Sequence, residues 1–360
     1  MTILNDYGWN KTHEANWEEL KADLKNKNCV PGRVTLEHKR MYRVVTAKGE
    51  WLSVCSGSFE HEAIDRRDFP AVGDWIAVEK MPGEERGIIH ALLPRTSLFS
   101  RKVAGLAITE QIIAVNIDIV FLVMSMNEDF NARRLERYLV AAYDSGANPI
   151  VVLTKKDTCD NPTYYIEEAQ NIAFGADVFA VSNVTGEGIS VLTSLLAGGK
   201  TAALLGSSGV GKSSLINVIT GEQTMAVQDI REDDKKGRHT TTHRELIKIP
   251  TGGVLIDTPG MREFQLWENN ESLDSSFKDV EEFSSACKFN NCQHNNEPGC
   301  AVQEALNTGA LSADRYESYL KLKKELAFLE RKMDRTAQAQ ERNKWKNITK
   351  SMRAHPSKKK

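Results

Sequence analysis

Gly206-Ser207-Ser208-Gly209-Val210-Gly211-Lys212-Ser213 decides the fold. The octet fills every fixed position of G-x-x-x-x-G-K-[ST]. An apolar run, Ala202 to Leu205, precedes it, and a helical pattern from Lys212 to Thr220 follows. This strand–loop–helix context gives the match its meaning. The glycines let the backbone curl so that successive N–H groups face a phosphate. The helix N-terminus adds partial positive charge. Lys212 is expected to reach the β- and γ-phosphates and Ser213 to ligate Mg²⁺. The motif specifies a nucleoside triphosphate and leaves the base open.

Moving outward, Val254-Leu255-Ile256-Asp257-Thr258-Pro259-Gly260 is an apolar strand ending in Asp-x-x-Gly. Asp257 is placed to hold Mg²⁺, and the Gly260 N–H to follow the γ-phosphate. Upstream, Val151-Val152-Leu153 runs into Thr154-Lys155-Lys156-Asp157. This resembles the Asn-Lys-x-Asp element of GTPases. There the aspartate accepts from guanine N1–H and N2–H₂, which adenine cannot match, and the lysine stem covers the base. Thr154 departs from the usual Asn, so a contact to the guanine edge and neighbouring loops is in question. Ser182-Asn183, opening a Gly-containing loop after another strand, resembles a second guanine loop. Base-reading elements thus precede phosphate elements, the reverse of the ordinary order, and a circular permutation explains this with the site unchanged.

Between the phosphate elements lies Gly237-Arg238-His239-Thr240-Thr241-Thr242. A polar loop here is where a first switch belongs. Thr241 is the expected Mg²⁺ ligand of the threonine run. Met261 follows Gly260, where many GTPases place a water-orienting glutamine. A methionine cannot polarise water, so slow intrinsic turnover is expected, with His239 as the candidate for that role.

The wider chain suits a multidomain α/β protein. At 360 residues and 41% apolar content, two or three domains can each bury a core. The first ~30 residues are polar around Trp9 and Trp17, a composition expected to be partly flexible. Short β-rich runs follow: Val34 to Glu37, Tyr42 to Ala47, Trp51 to Cys55, Trp75 to Val78 and Ile88 to Leu93. They suggest a small closed barrel, of OB or SH3-like type. From about Glu110 strands alternate with helices. Ile112 to Met126 reads as a strand, Ala132 to Ser145 as a helix, and Ile150 to Thr154 and Asp177 to Val181 as strands. This alternation means a parallel sheet with helices on both faces. The expected divisions are residues 1–106, 107–265 and 266–360. Net charge is −2, but Arg331 to Lys360 holds eleven basic residues against two acidic, a tail that is either a solvated helix end or a nucleic-acid contact. Met1 to Asn10 lacks the features of an export signal, and no run is long and apolar enough to span a membrane. A cytoplasmic location with no membrane partner is expected.

Three of six cysteines cluster: Cys287-x₄-Cys292-x-His294-x₅-Cys300. Three thiolates and an imidazole make a full tetrahedral set for structural Zn²⁺, with no position open for catalysis. Cys29, Cys55 and Cys159 are scattered and read as packing residues.

The permuted order, the Gly-Arg-His-Thr-Thr-Thr loop, the hydrophobic residue after Asp-Thr-Pro-Gly and the Cys-x₄-Cys-x-His-x₂-Glu-Pro-x-Cys segment together resemble the ribosome small-subunit-dependent GTPases, the RsgA (YjeQ, EngC) family. The likeness covers nearly the whole chain. It implies an N-terminal OB-type barrel, a circularly permuted GTPase domain and a C-terminal zinc-binding helical domain. It implies hydrolysis of GTP to GDP, stimulation by the small (30S) subunit, and action late in that subunit's maturation through contacts to 16S rRNA. A monomer is expected. The alternative is a nucleotide-regulated RNA-binding assembly factor with incidental turnover.

Overall fold

The structure is a computed structural model that describes residues 2–24, 27–103, 109–221, 245–257, 270–295 and 297–328. His239, Thr241, Gly260 and the basic stretch 331–360 lie outside the described residues. The chain divides into two compact units. The first holds a barrel and a sheet, and the second holds the described residues from 270 onward.

Two helices open the first unit, α1 (Thr2–Asp6) and α2 (Lys11–Asp23), the second capped by the Asn10 side chain. The expectation of a partly flexible start is corrected here. Trp9 and Trp17 are buried against Trp75 of the barrel, with the Trp9 and Trp75 rings meeting edge to face at 4.9 Å. Each buried indole stabilises by roughly 2–3 kcal/mol, enough to order a short polar segment.

The barrel strands are β1 (Cys29–His38), β2 (Met41–Thr46), β3 (Gly49–Cys55), β4 (Trp75–Lys80) and β5 (Arg86–Leu92), with α3 (Gly57–Glu62) between β3 and β4. They close in the order β1-β2-β3-β5-β4. The parallel β3–β5 pair makes this an OB-type barrel, a choice that strand patterning alone left open. Val34, Tyr42, Val44, Trp51, Ile76, Val78 and Ile89 fill its interior. Cys55 packs against that interior and Cys29 against the Trp9–Trp75 cluster.

Sequence periodicity joined Ile112 to Met126 into one strand; the structure breaks it in two. β6 (Leu98–Val103) and β7 (Thr109–Val115) form a separate two-stranded sheet, and β8 (Ile119–Ser125) belongs to the central sheet. Asn116, at φ 53°, turns the chain between them. Its side chain accepts from the Thr96 N–H at 2.9 Å and donates to Gly73 O at 3.1 Å. A buried, left-handed Asn with both ends satisfied is a turn, not a strand interior.

The remaining elements of this unit are α4 (Ala132–Asp144), β9 (Asn148–Thr154), α5 (Pro162–Ile172), β10 (Asp177–Ala180), α6 (Ile189–Leu195), β11 (Thr201–Leu205), α7 (Lys212–Thr220), β12 (Leu246–Lys248) and β13 (Val254–Ile256). The sheet order is β10-β9-β8-β11-β13-β12, parallel except for β12. Phe121, Val123, Ile150 and Val152 face α6 and α7 in the main core. The alternate residues point to the opposite face, where α4 packs on β8 and β9 and α5 on β9 and β10. α7 has nine residues, too few for a stable isolated helix. Burial of Leu215, Ile216 and Ile219 holds it on the sheet.

Barrel and sheet share a buried polar joint. The Arg33 guanidinium of β1 is 1% exposed. It donates to Gly73 O and Asn116 O at 3.2 Å each and to Tyr7 O, and lies over the Trp75 ring. Burial pushes its pKa down to about 10, opposed by Asp118 and Asp74, so the charge persists at neutral pH. Asp118 in turn accepts from the Thr201 N–H at the start of β11. Gly8 is pressed so closely on Gly199 that a Cβ would lie 2.5 Å from its carbonyl oxygen.

The second unit contains α8 (Asn270–Ser276), α9 (Lys278–Ser285), α10 (Ala301–Thr308) and a helical stretch over 313–328. Arg315 joins this stretch to α9 through a bidentate pair with Asp279, at 3.0 and 2.9 Å, while its guanidinium covers the Phe277 ring. No helix among the described residues is long and apolar enough to cross a membrane.

Candidate functional site: a nucleotide cleft and a metal knuckle

Three strands end at one edge of the sheet, and their C-terminal loops carry the expected residues. β11 leads into Gly206–Gly211, β9 into Thr154–Asp157, and β13 into Asp257. Ligands of open α/β sheets bind at this edge. Gly209 and Gly211 adopt φ 82° and 94°, which curls the loop into the start of α7. At Gly206 a Cβ would meet Val123 O at 2.4 Å, so only glycine lets the loop leave β11 this close to β8.

Lys212 is 9% exposed, and its ammonium donates to Gly206 O at 2.8 Å and Ser207 O at 2.6 Å. Burial lowers its pKa to about 8, opposed by the Asp257 carboxylate. An ammonium so desolvated and close to a carboxylate suits phosphate oxygens. Asp257 is 4% exposed at the end of β13. Its N–H donates to Glu245 O at 3.2 Å. Glu245 bridges to Leu36 of β1 and pairs with Arg43 of β2 at 3.2 Å.

The base-reading loops are bonded to the phosphate loop. Thr154 is fully buried, and its hydroxyl donates to Val210 O at 2.6 Å. The Asn183 amide donates to Gly211 O at 3.0 Å. Ser182 donates to Asp157 Oδ1 at 2.6 Å while accepting the Val184 and Thr185 N–H groups. Lys155 lies at φ 62°, and Lys156 pairs with Glu187. The structure therefore brings Thr154, Asp157, Ser182 and Asn183 together with Gly206–Ser213 and Asp257. The link to neighbouring loops that Thr154 put in question is present.

Sequence reading missed Asp129 and Arg134, which reach the same loop. Arg134 donates to Ser207 Oγ at 2.8 Å, and Ser207 donates to Asp129 Oδ2 at 3.0 Å. The signal was Asn131, a helix cap between them that starts α4 beside the end of β8.

The second site is the knuckle. Donor atoms of Cys287, Cys292, His294 and Cys300 all lie within 4.8 Å of one another. Cys287 and Cys300 Sγ are 3.9 Å apart, and His294 Nδ1 is 3.5 and 3.4 Å from them. Tetrahedral bonds of about 2.3 Å to sulfur and about 2.0 Å to nitrogen give edges of about 3.8 and 3.5 Å. The four residues thus fit a metal ion. Supporting bonds fix them. His294 sits at φ 61°, its Nε2 is 3.1 Å from Ser284 Oγ, and its carbonyl accepts from Gln303 Nε2 at 2.6 Å. Cys300 caps α10, its sulfur taking the Gln303 N–H. Such outer contacts orient ligands.

Residues 92–267 match the family model described as RsgA GTPase. A model described as ABC transporter also matches, over 190–348, a stretch that includes the phosphate loop shared by many nucleotide-binding proteins. The chain is 46% identical over 318 residues to the small ribosomal subunit biogenesis GTPase RsgA 1 of Oceanobacillus iheyensis, covering 88% of this chain and 91% of that one. It is 42% identical over 360 residues to the RsgA of Opitutus terrae, covering 98% and 97%. YjeQ from Thermotoga maritima superposes with a TM-score of 0.61 at 29% identity, over 83% of this chain and 99% of that one. YloQ, described as a circularly permuted GTPase, superposes with a TM-score of 0.60 at 26% identity, over 83% and 96%. With base-reading loops ahead of the phosphate loop at one sheet edge, and relatives this similar end to end, the chain belongs to the RsgA family of circularly permuted GTPases.

Proposed function

We propose that this GTPase hydrolyses GTP to GDP and phosphate when stimulated by the small (30S) ribosomal subunit, and acts late in maturation of that subunit through 16S rRNA in the cytoplasm. The observation that carries the reading is the pair of bonds from Thr154 and Asn183 to the phosphate loop. They support a single molecule whose base meets one set of loops and whose phosphates meet the other. The names of the relatives, small ribosomal subunit biogenesis GTPases, support the ribosomal role.

Asp157 accepts hydrogen bonds from the guanine N1–H and N2–H₂ groups, with the Lys155 stem covering the base, Lys156 in the same nucleotide-contacting loop and Ser182 orienting the carboxylate. Thr154 and Asn183 hold the loops together. Gly206, Ser207, Ser208, Gly209, Val210, Gly211 and Ser214 cradle the phosphates, and Lys212 neutralises charge on the γ-phosphoryl group. Ser213, Asp257 and Thr241 hold Mg²⁺, Gly260 follows the γ-phosphate, and His239 orients the attacking water. Mg²⁺ held by these residues would supply positive charge to offset the negative charge that develops during phosphoryl transfer. Cys287, Cys292, His294 and Cys300 would hold one structural Zn²⁺, which would staple this short segment into a small RNA-recognition knuckle. The protein works as a monomer.

The test measures GTP and ATP hydrolysis by the wild type and Lys212→Ala, with and without purified 30S subunits. The expected result is GTP preference, strong stimulation by subunits and loss of turnover in the variant. Equal use of ATP overturns the base assignment. Nucleotide-dependent subunit binding without stimulated turnover replaces the hydrolase reading with a nucleotide-regulated RNA-binding assembly factor.

A further inference from the structure

We propose that Asn183 is a positioning residue for the nucleotide, supplying from the second base-reading loop the hydrogen-bond donor that threonine at position 154 cannot provide. The inference rests on the guanine-nucleotide reading above and deepens it.

An asparagine side chain carries two N–H donors, and a threonine hydroxyl carries one. Thr154 Oγ1 lies 2.6 Å from Val210 O and 3.2 Å from Met124 O. A single hydrogen cannot serve both fully, and the shorter contact takes it. The hydroxyl is then committed to Val210. The next carbonyl along the phosphate loop, that of Gly211, takes its side-chain donor from Asn183 Nδ2 at 3.0 Å. That carbonyl also accepts the first hydrogen bond of α7, from the Leu215 N–H at 2.8 Å. Asn183 therefore bears on the helical turn that carries Lys212 and Ser213.

Two features mark this contact as specific. Gly211 lies at φ 94°, and a Cβ there would come within 3.0 Å of Asn183 Nδ2. The absence of a side chain lets the amide close on the backbone. Asn183 Oδ1 is enclosed with no hydrogen-bond partner. Turning the amide over would set this oxygen against the Gly211 carbonyl, so the donor bond fixes its direction. The adjacent residue, Ser182, bonds Asp157. Residues 182 and 183 thus tie the base end of the site to its phosphate end, a task that one two-donor amide at position 154 could share.

The test follows release of a fluorescent GDP analogue in the absence of subunits from the wild type, Asn183→Ala, Asn183→Asp, Thr154→Asn and the double variant Thr154→Asn/Asn183→Ala. Asn183→Ala should speed release about tenfold, the size of one hydrogen bond to a loop carbonyl. Asn183→Asp, which keeps the shape but removes the donors, should speed it at least as much. The double variant should return to within about threefold of wild type, because Asn and Thr are similar in volume and the new amide offers both donors. A purely structural role for Asn183 would lower thermal stability with no such rescue. Wild-type release from Asn183→Ala and Asn183→Asp overturns the proposal, as does a folded double variant that releases as fast as Asn183→Ala. Asp157→Asn serves as the separating control. If it shifts preference from guanine to xanthine while the Asn183 variants are inert, only the brace fails. If preference does not move, the reading of the site fails with it.

Discussion

The nucleotide cleft gathers four separate pieces of chain, whereas the metal knuckle gathers four side chains from a single piece. The cleft draws on Thr154–Asp157, Ser182–Asn183, Gly206–Ser213 and Asp257, spread over about a hundred residues. The ends of parallel strands place them, standing on a continuous apolar core. The knuckle draws on fourteen consecutive residues, Cys287 to Cys300, with no strand among the described ones; Cys300 is buried and the other three candidate ligands are half-buried. A sheet positions side chains before any ligand arrives. A knuckle holding thiol sulfurs 3.9 Å apart depends on a cation to offset their charge once they ionise. The described residues of the cleft are held by the sheet, whereas the four donors of the knuckle would be held chiefly by a metal ion.

The sharpest way to break this contrast is to remove the metal. Chelation, or Cys292→Ser, should release the ion and unfold the segment around Cys287–Cys300, since structural zinc contributes on the order of 10 kcal/mol to such sites. Nucleotide binding should persist. Metal analysis, thermal melting and nucleotide affinity measured on one sample decide this, and loss of nucleotide binding along with the metal would show that the two regions are not independent. Asp157→Asn should have a smaller effect, lowering the preference for GTP over xanthosine triphosphate by roughly 10²-fold or more while leaving the melting temperature nearly unchanged. A large fall in melting temperature would make Asp157 a structural residue. The smallest effect expected is on pH dependence. Burial holds the Lys212 ammonium down to about 8. Phosphates favour the charged form, so affinity for GTP is full below pH 8. It falls as pH rises through 8, approaching tenfold per unit. Titration of affinity from pH 7 to 9 at fixed Mg²⁺ checks this, and a flat profile would place the Lys212 pKa well above that window.

The contrast also explains which parts were readable in advance. The phosphate loop and the Cys/His set are local patterns whose residue spacing encodes their chemistry. The strands of the central sheet, apolar on both faces, announced themselves by composition. The single-strand reading of Ile112 to Met126 failed because two apolar strands meeting at a three-residue turn look like one long run. The N-terminal helices were misread as partly flexible because their polar composition hid two tryptophans whose partner, Trp75, lies more than fifty residues away. Asp129 and Arg134 were missed because their bond to Ser207 exists only once β8 and β11 are neighbours.

Sequence alone determined the kinds of chemistry available: a loop that wraps phosphate, a carboxylate suited to guanine and four candidate ligands for a metal. These depend on residue type and short spacing, which the chain carries in any conformation. Tertiary structure decided the barrel type through the parallel β3–β5 pair, the burial of Arg33 between barrel and sheet, and the sharing of phosphate-loop carbonyls between Thr154 and Asn183. Each is a meeting of groups far apart in sequence, and only the packed sheet brings their donors and acceptors within bonding distance.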